Sequence, residues 1–233
     1  MSKKVTISSF LGNTLEFYEF SIFGFLSPLI FPYFALHQQG SNPLTTFFLI
    51  FAIGYLFRPL GGLIFGYIGD KWGNKNSLIG SLLLMSCATL AMGCLPSAEK
   101  IGPAAAYLLI FLRILQGISA GGEFCGGVLF STQYNKPNLQ SFISSFVGIG
   151  GMVGMLLASL TITLIKPYLH IAGFWRIPFF LAAAVGVLAL YIRTQIVVQG
   201  LVQPHPSRFP IKEVLQKEPL AFFASIFISA IGG

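Results

Sequence analysis

The sequence predicts an all-α integral membrane protein. Three observations carry that prediction: a scarcity of charge, a series of long apolar runs, and basic residues gathered on one side of those runs. Of the 233 residues, 55% are hydrophobic and only 9% charged, against about 25% charged in a soluble domain. Water does not keep such a chain dispersed, and a bilayer is its natural solvent. The 26 glycines agree, because glycine weakens soluble helices but lets membrane helices approach closely.

Six apolar runs are expected to span, at about 9–35, 45–68, 77–95, 104–130, 140–165 and 174–194. Each is near or above the roughly 20 residues needed to cross the hydrocarbon core. A turn from His37 to Pro43 follows the first. The second ends at Gly69-Asp70-Lys71, the third at Pro96 and the fifth at Lys166-Pro167. Lys3 and Lys4 resemble the start of a signal peptide, but the stretch after them contains Glu16 and Glu19 and runs too long for one. It reads as a retained first helix. Residues 195–218 hold Pro204, Pro206 and Pro210 and read as a cytoplasmic interdomain loop, with a short surface helix around Ile211 to Lys217. A seventh run, 219–233, reaches the last residue given; about 15 residues rise only about 22 Å as a helix. The expected organisation is a six-helix bundle over 1–194, the loop, and a truncated seventh helix.

Orientation comes from the basic residues, which favour cytoplasmic loops. With six complete spans, Lys3, Lys4, Lys71, Lys75, Lys136, Arg193, Arg208, Lys212 and Lys217 share one side, while Lys100, Lys166 and Arg176 lie on the other. Both ends of the block are therefore expected in the cytoplasm. The net charge of +7 is scattered between apolar runs, not clustered as a nucleic-acid surface would be. Cys87, Cys94 and Cys125 lie in apolar runs without metal-ligand spacing, and are expected to be buried small hydrophobes. No metal or cofactor is called for. A membrane enzyme is disfavoured: His37, His170 and His205 lie far apart in loops, and no nucleophile stands near a base in sequence.

Apart from Arg176 and Arg193, which stand at the two ends of the sixth run and are counted with the loops, five ionisable residues fall inside the expected spans: Glu16, Glu19, Arg58, Arg113 and Glu123. Each costs at least about 2.5–3.5 kcal/mol near a helix centre unless paired or hydrated. They are expected to face one another or a water-filled cavity between the first and fourth spans. Counting depth at about 1.5 Å per residue, Glu19 and Arg113 approach the midplane from opposite ends. That placement suits either a structural ion pair or solute binding. The guanidinium offers a planar fork of donors to a carboxylate, and burial favours the neutral, proton-carrying form of a carboxyl group. Glycines at 61, 62, 66 and 69, at 117, 121, 122, 126 and 127, and at 148, 150, 151 and 154 are expected to line close helix crossings.

These residues resemble a known family. The loop from Gly66 through Gly69-Asp70-Lys71-Trp72-Gly73-Asn74-Lys75 to Leu78 is similar to the major facilitator signature between helices two and three, with Asn74 where an arginine usually stands. Arg113-Ile114-Leu115-Gln116-Gly117, continued by Ser119-Ala120-Gly121-Gly122-Glu123, resembles the metabolite:proton symporter branch of proline/betaine, α-ketoglutarate and shikimate permeases. Gly12-Asn13, Glu16, Tyr18, Phe20 and Gly24 match the branch's opening motif, with Glu19 in place of the usual aspartate and Phe23 in place of a frequent tyrosine. Arg58-Pro59 with Gly61-Gly62, and Trp175 to Phe179, also resemble it, so the likeness covers residues 12 to 179.

The resemblance implies the six-helix N-terminal bundle of a major facilitator fold, alternating access, and proton symport of a small carboxylate or zwitterion. It implies a solute and proton pathway through Glu16, Glu19, Arg58, Arg113 and Gln116, and a cytoplasmic gate of Asp70, Lys71, Lys75 and Glu123. It places the chain in a plasma membrane, the bacterial inner membrane by its relatives. Members have twelve helices, so this chain is expected to join a separate C-terminal half, to self-associate, or to be a truncated remnant without transport of its own.

Overall fold

A computed structural model of the chain describes residues 2–34, 43–133, 135–171, 173–195, 216 and 219–220. The described residues fold into helices with no strand among them. The main helices are α1 (Ser2–Phe34), α2 (Pro43–Leu56), α3 (Arg58–Trp72), α4 (Asn74–Cys94), the single turn α5 (Ala98–Ile101), α6 (Ala104–Gln133), α7 (Gln140–Ile165) and α8 (Ile177–Thr194). The expected turn at 37–43, the loop at 195–218 and the seventh run at 219–233 lie almost wholly outside the described residues.

Helix α1 begins at Ser2, seven residues before the expected start at 9, and runs for 33 residues. Glu19 therefore lies about 26 Å along the helix, near its middle, not about 15 Å from its start. The helix passes through Pro28, whose missing N–H leaves the carbonyl four residues back without its donor. Ser27 fills that vacancy, its hydroxyl donating to the Gly24 carbonyl at 3.0 Å. The expected second span is broken at Phe57 into α2 and α3, because Pro59 falls in the first turn of the new helix and cannot continue the ladder of the old one. The chain still runs on without a gap, as Gly61 N–H reaches the Phe57 carbonyl at 3.2 Å.

Helix boundaries elsewhere follow local chemistry. Gly73, at φ 91°, makes the turn between α3 and α4, a backbone shape that a side chain resists. This accounts for the glycine of the loop motif. Leu95 is extended at the end of α4, as a residue before proline should be. Helix α7 keeps the boundaries read from sequence.

Among the described residues, five helical stretches are long and apolar enough to cross a membrane: Phe48–Trp72, Asn74–Cys94, Ala104–Gln133, Gln140–Tyr168 and Phe174–Thr194. Helix α1 is not among them; Lys3, Lys4, Glu16 and Glu19 make it the most charged helix of the bundle. It lies at the centre of the bundle, where Leu15, Ile22, Phe23 and Leu26 are at most 2% exposed. The outer surface is the reverse of a soluble protein's. Leu56, Tyr107, Phe142, Met152 and Leu156 are all exposed, as lipid-facing side chains are. The three cysteines also reach this surface, which corrects the expectation that they are buried. Each lies on the outward stripe of a helix, where a small apolar side chain faces lipid as readily as core.

Glycine sets the closest crossings. A Cβ at Gly117 would collide with the Gly54 backbone, one at Gly121 with the Arg58 carbonyl, one at Gly61 with the Ile118 carbonyl, and one at Gly154 with the Thr14 carbonyl. Backbone therefore touches backbone where α6 meets α2 and α3, and where α7 meets α1. Gly66 and Gly148 have nothing within 4 Å, so these two members of the expected stripes do not make crossings within the bundle.

Candidate functional site

The five ionisable residues of the expected spans all turn inward. Glu16, Glu19, Arg113 and Glu123 are at most 2% exposed, as is Gln116. The Arg58 side chain is 20% exposed. In this conformation they are enclosed by the bundle's own side chains. A cavity of about 330 Å³ lies elsewhere, between α1, α7 and α8, with apolar walls and only the hydroxyls of Thr14, Tyr18 and Thr161.

The charges separate into two groups. The first is central. Glu16 and Glu19 stand one turn apart on α1, and Arg113 and Gln116 one turn apart on α6. Arg58, at the start of α3, approaches Glu16 at 3.7 Å. Its guanidinium lies 4.6 Å from the ring centres of both Phe20 and Tyr55. Arg113 is packed against Phe20 at 4.3 Å, Phe23 at 4.1 Å and Phe51 at 5.4 Å. Aromatic faces stabilise a cation that has left water, so the rings hold both guanidiniums with few hydrogen bonds.

Glu19 and Arg113, expected at one depth, are joined through two neutral side chains. Arg113 Nη1 donates to Gln116 Oε1 at 2.8 Å. Gln116 Nε2 donates to Thr89 Oγ1 at 2.7 Å. The Thr89 hydroxyl donates to Glu19 Oε2. Among the described residues, both Glu16 oxygens, Glu19 Oε1, and the Nε and Nη2 of both Arg58 and Arg113 have no hydrogen-bond partner. Buried polar atoms normally find one. This centre therefore holds donor and acceptor capacity that the bundle does not use.

The second group lies about 15 Å further along α6, ten residues on. Glu123 forms a buried salt bridge with Arg193 of α8 at 2.8 Å. Its Oε2 also accepts from Arg193 Nη1 at 2.9 Å and from the Ser81 hydroxyl at 2.8 Å. Arg193 donates further to the Leu78 and Ser8 carbonyls at 3.1 and 3.2 Å. The knot ties α1, α4, α6 and α8 together. A Cβ at Gly12 would strike both Glu123 and Arg193, which explains the glycine that opens the first-helix motif.

Arg193 corrects the sequence reading. Counted there among the loop charges, it is 1% exposed. Position 193 falls inside the sixth expected span, but so near its end that depth does not separate a snorkelling side chain from a buried one. Thr89 and Ser81 carried no signal, being ordinary hydroxyl residues in an apolar helix.

The four residues grouped as a gate are not brought together. Asp70 is exposed and makes no salt bridge among the described residues. Lys71 lies 5.2 Å from the Trp72 ring centre. Lys75 donates to the Thr194 carbonyl at 2.9 Å, closing the end of α8. Glu123 is inside the bundle with Arg193. At the position where the motif usually has arginine, Asn74 donates to Gln133 at 2.9 Å, a neutral link between the ends of α4 and α6.

Comparison with known proteins agrees with this architecture. The family model described as sugar (and other) transporter matches residues 4–196. The proline/betaine transporter of Escherichia coli K12 is 32% identical over 232 residues, covering 97% of this chain and 46% of that protein. The glycine betaine/proline/ectoine/pipecolic acid transporter OusA of Dickeya dadantii is 34% identical over 201 residues, covering 82% of this chain and 39% of that protein. The chain thus spans about half the length, or less, of these curated relatives. Among solved structures, the partially occluded inward-open xylose transporter XylE of E. coli superposes with a TM-score of 0.73 at 18% identity, over 84% of this chain and 48% of that one. A D-xylose–proton symporter superposes with a TM-score of 0.75 at 15% identity, over 97% of this chain and 55% of that one. At such identities these structures speak for the fold. The family is one of transporters, not enzymes, and the chain belongs to it: this is a membrane protein of the sugar (and other) transporter family, in the major facilitator superfamily, with the proline/betaine transporters among its relatives.

Proposed function

We propose that the chain supplies one six-helix half of a proton-coupled symporter for a small zwitterion or carboxylate, working by alternating access. The observation that carries this reading is the state of Arg113. It is wholly buried, held by aromatic rings and one hydrogen bond, with Nε and Nη2 unpartnered. A solute carboxylate would find there the fork of donors that suits it. The rings of Phe20, Phe51 and Tyr55 would suit the cationic end of a zwitterion. Glu19, three links away through Gln116 and Thr89, is the proton carrier in this reading, with Glu16 and Arg58 lining the same path. The names of the relatives, proline and betaine transporters, point to the same solute class.

The second half of the cavity wall comes from another six-helix unit, since lone cavity-facing charges are costly in lipid. Lys3, Lys4, Lys71, Lys75, Lys136, Arg208, Lys212 and Lys217 still outnumber Lys100, Lys166 and Arg176 once Arg193 is set aside. That favours a cytoplasmic N-terminus in a bacterial inner membrane. Asp70, Lys71 and Lys75 at the cytoplasmic ends are the candidate gate, with Glu123 anchoring its inner edge.

Uptake into proteoliposomes under an imposed proton gradient tests the proposal. The chain is assayed alone and together with a complementary six-helix half, with labelled proline, glycine betaine and xylose. Gradient-driven accumulation of proline or glycine betaine, abolished by R113A, is expected. Folded protein that moves neither solute nor protons in either assembly overturns it.

A further inference from the structure

We propose that Thr89 and Gln116 form a one-way hydrogen-bond chain that gives the two oxygens of Glu19 different tasks: Oε2 only accepts, and Oε1 is the oxygen that takes up and releases the proton. The inference rests on the reading of Glu19 as a proton carrier.

The direction of the chain is set at its far end. A guanidinium has five N–H donors and no acceptor. The Gln116 atom 2.8 Å from Arg113 Nη1 must therefore be the carbonyl oxygen. That orientation turns the amide N–H toward Thr89 Oγ1 at 2.7 Å. A hydroxyl that already receives a donor has its single hydrogen left to give, and Thr89 gives it to Glu19 Oε2. While Arg113 keeps its place, Oε2 faces a donor and has no acceptor in front of it.

Oε1 has the opposite surroundings. It is buried without a hydrogen-bond partner, and so is the Ser86 hydroxyl on α4. Both border Gly186 of α8: a Cβ there would strike Ser86 Oγ and come 3.6 Å from Glu19 Oε1. With no side chain at 186, the Ser86 hydroxyl fills that place, and it and Oε1 adjoin the same point of α8 between α1, α4 and α8. A proton arriving there binds Oε1, the carboxylate becomes the neutral acid, and release reverses the step with no other bond changed. The charged groups that act on Glu19 are Glu123 on α6, itself paired with Arg193 of α8, and Glu16 one turn away on α1; Arg113 reaches it through Gln116 and Thr89.

The chain also explains how solute and proton sense each other without touching. A carboxylate that draws Arg113 away from Gln116 removes the donor that orients the amide. Gln116 is then free to turn, Thr89 is free to rotate, and the hydrogen bond on Oε2 is lost. Thr89 and Gln116 are thus positioning residues that act through Glu19.

Infrared difference spectroscopy of the purified chain in lipid nanodiscs reads this without any transport. The carboxyl stretch that disappears in E19Q is assigned to Glu19. In T89V that stretch is expected to move to higher frequency, because its oxygen has lost a donor, and T89S is expected to restore it. Q116L, one link further away, is expected to give a smaller shift and to stand in if T89V does not insert. A Glu19 stretch at its wild-type position in T89V and Q116L overturns the inference, as does failure of T89S to restore it. A stretch that follows Thr89 in a chain without gradient-driven uptake sinks the transport reading alone. A stretch that ignores Thr89 in a chain that transports sinks this inference alone.

Discussion

The two buried charge clusters share a helix, a degree of burial and a residue chemistry, yet their bonding is opposite. Around Glu123, the acid is met by a salt bridge and two further donors, and Arg193 reaches backbone carbonyls of both α1 and α4. Around Arg113, the guanidinium makes one hydrogen bond, and Glu16 makes none, its nearest charge being Arg58 at 3.7 Å. Satisfied groups hold a structure together; unsatisfied ones are a reservoir for something the bundle does not itself contain. The difference teaches where to look for structure and where for function.

The largest effect should come from breaking the satisfied cluster on one side. Removing one partner of a buried pair leaves the other uncompensated, at about 3–5 kcal/mol. Glu123→Ala is expected to lose that much in denaturant titration of the chain in detergent, or to fail to insert. The double variant Glu123→Leu with Arg193→Met should recover most of the loss, since well-packed apolar pairs often match a buried ion pair. A double variant as unstable as the single one would mean that the backbone bonds of Arg193, not the pair, hold the knot.

A smaller loss, about 1–3 kcal/mol by overpacking, is expected for Gly154→Leu. Its side chain would enter the α1 backbone at Thr14. Gly148→Leu, on the same helix with open space around it, should unfold within about 0.5 kcal/mol of the parent. The smallest effect is expected at the loop: Asn74→Ala breaks one exposed bond to Gln133 and should change stability by less than about 0.5 kcal/mol. Thermal unfolding of the three variants side by side checks the order.

Much of this contrast was legible in the sequence. A charge inside an apolar run must turn inward, so Glu16, Glu19, Arg58, Arg113 and Glu123 announced themselves. The glycine spacing announced the α6 and α7 crossings. Three things were not legible. Arg193 is the next-to-last residue of α8, where depth alone cannot separate a snorkelling side chain from one folded back into the bundle. The Glu19–Arg113 link runs through Thr89 on a third helix, and periodicity within one helix says nothing about which neighbour supplies a hydroxyl. The grouping of Asp70, Lys71, Lys75 and Glu123 came from the family resemblance, but Glu123 points to the core and Lys75 to the end of α8.

The measurement that bears most directly on the contrast is equilibrium unfolding of Glu123→Gln and Glu19→Gln in the same detergent. Both changes keep the shape and remove one charge. Glu123→Gln should lose at least about 2 kcal/mol, because Arg193 is left without its counter-charge. Glu19→Gln should be neutral or gain stability, as happens when an unsatisfied functional group is replaced. Equal losses at the two positions, or a larger loss at Glu19, would contradict the division into a structural knot and a functional centre.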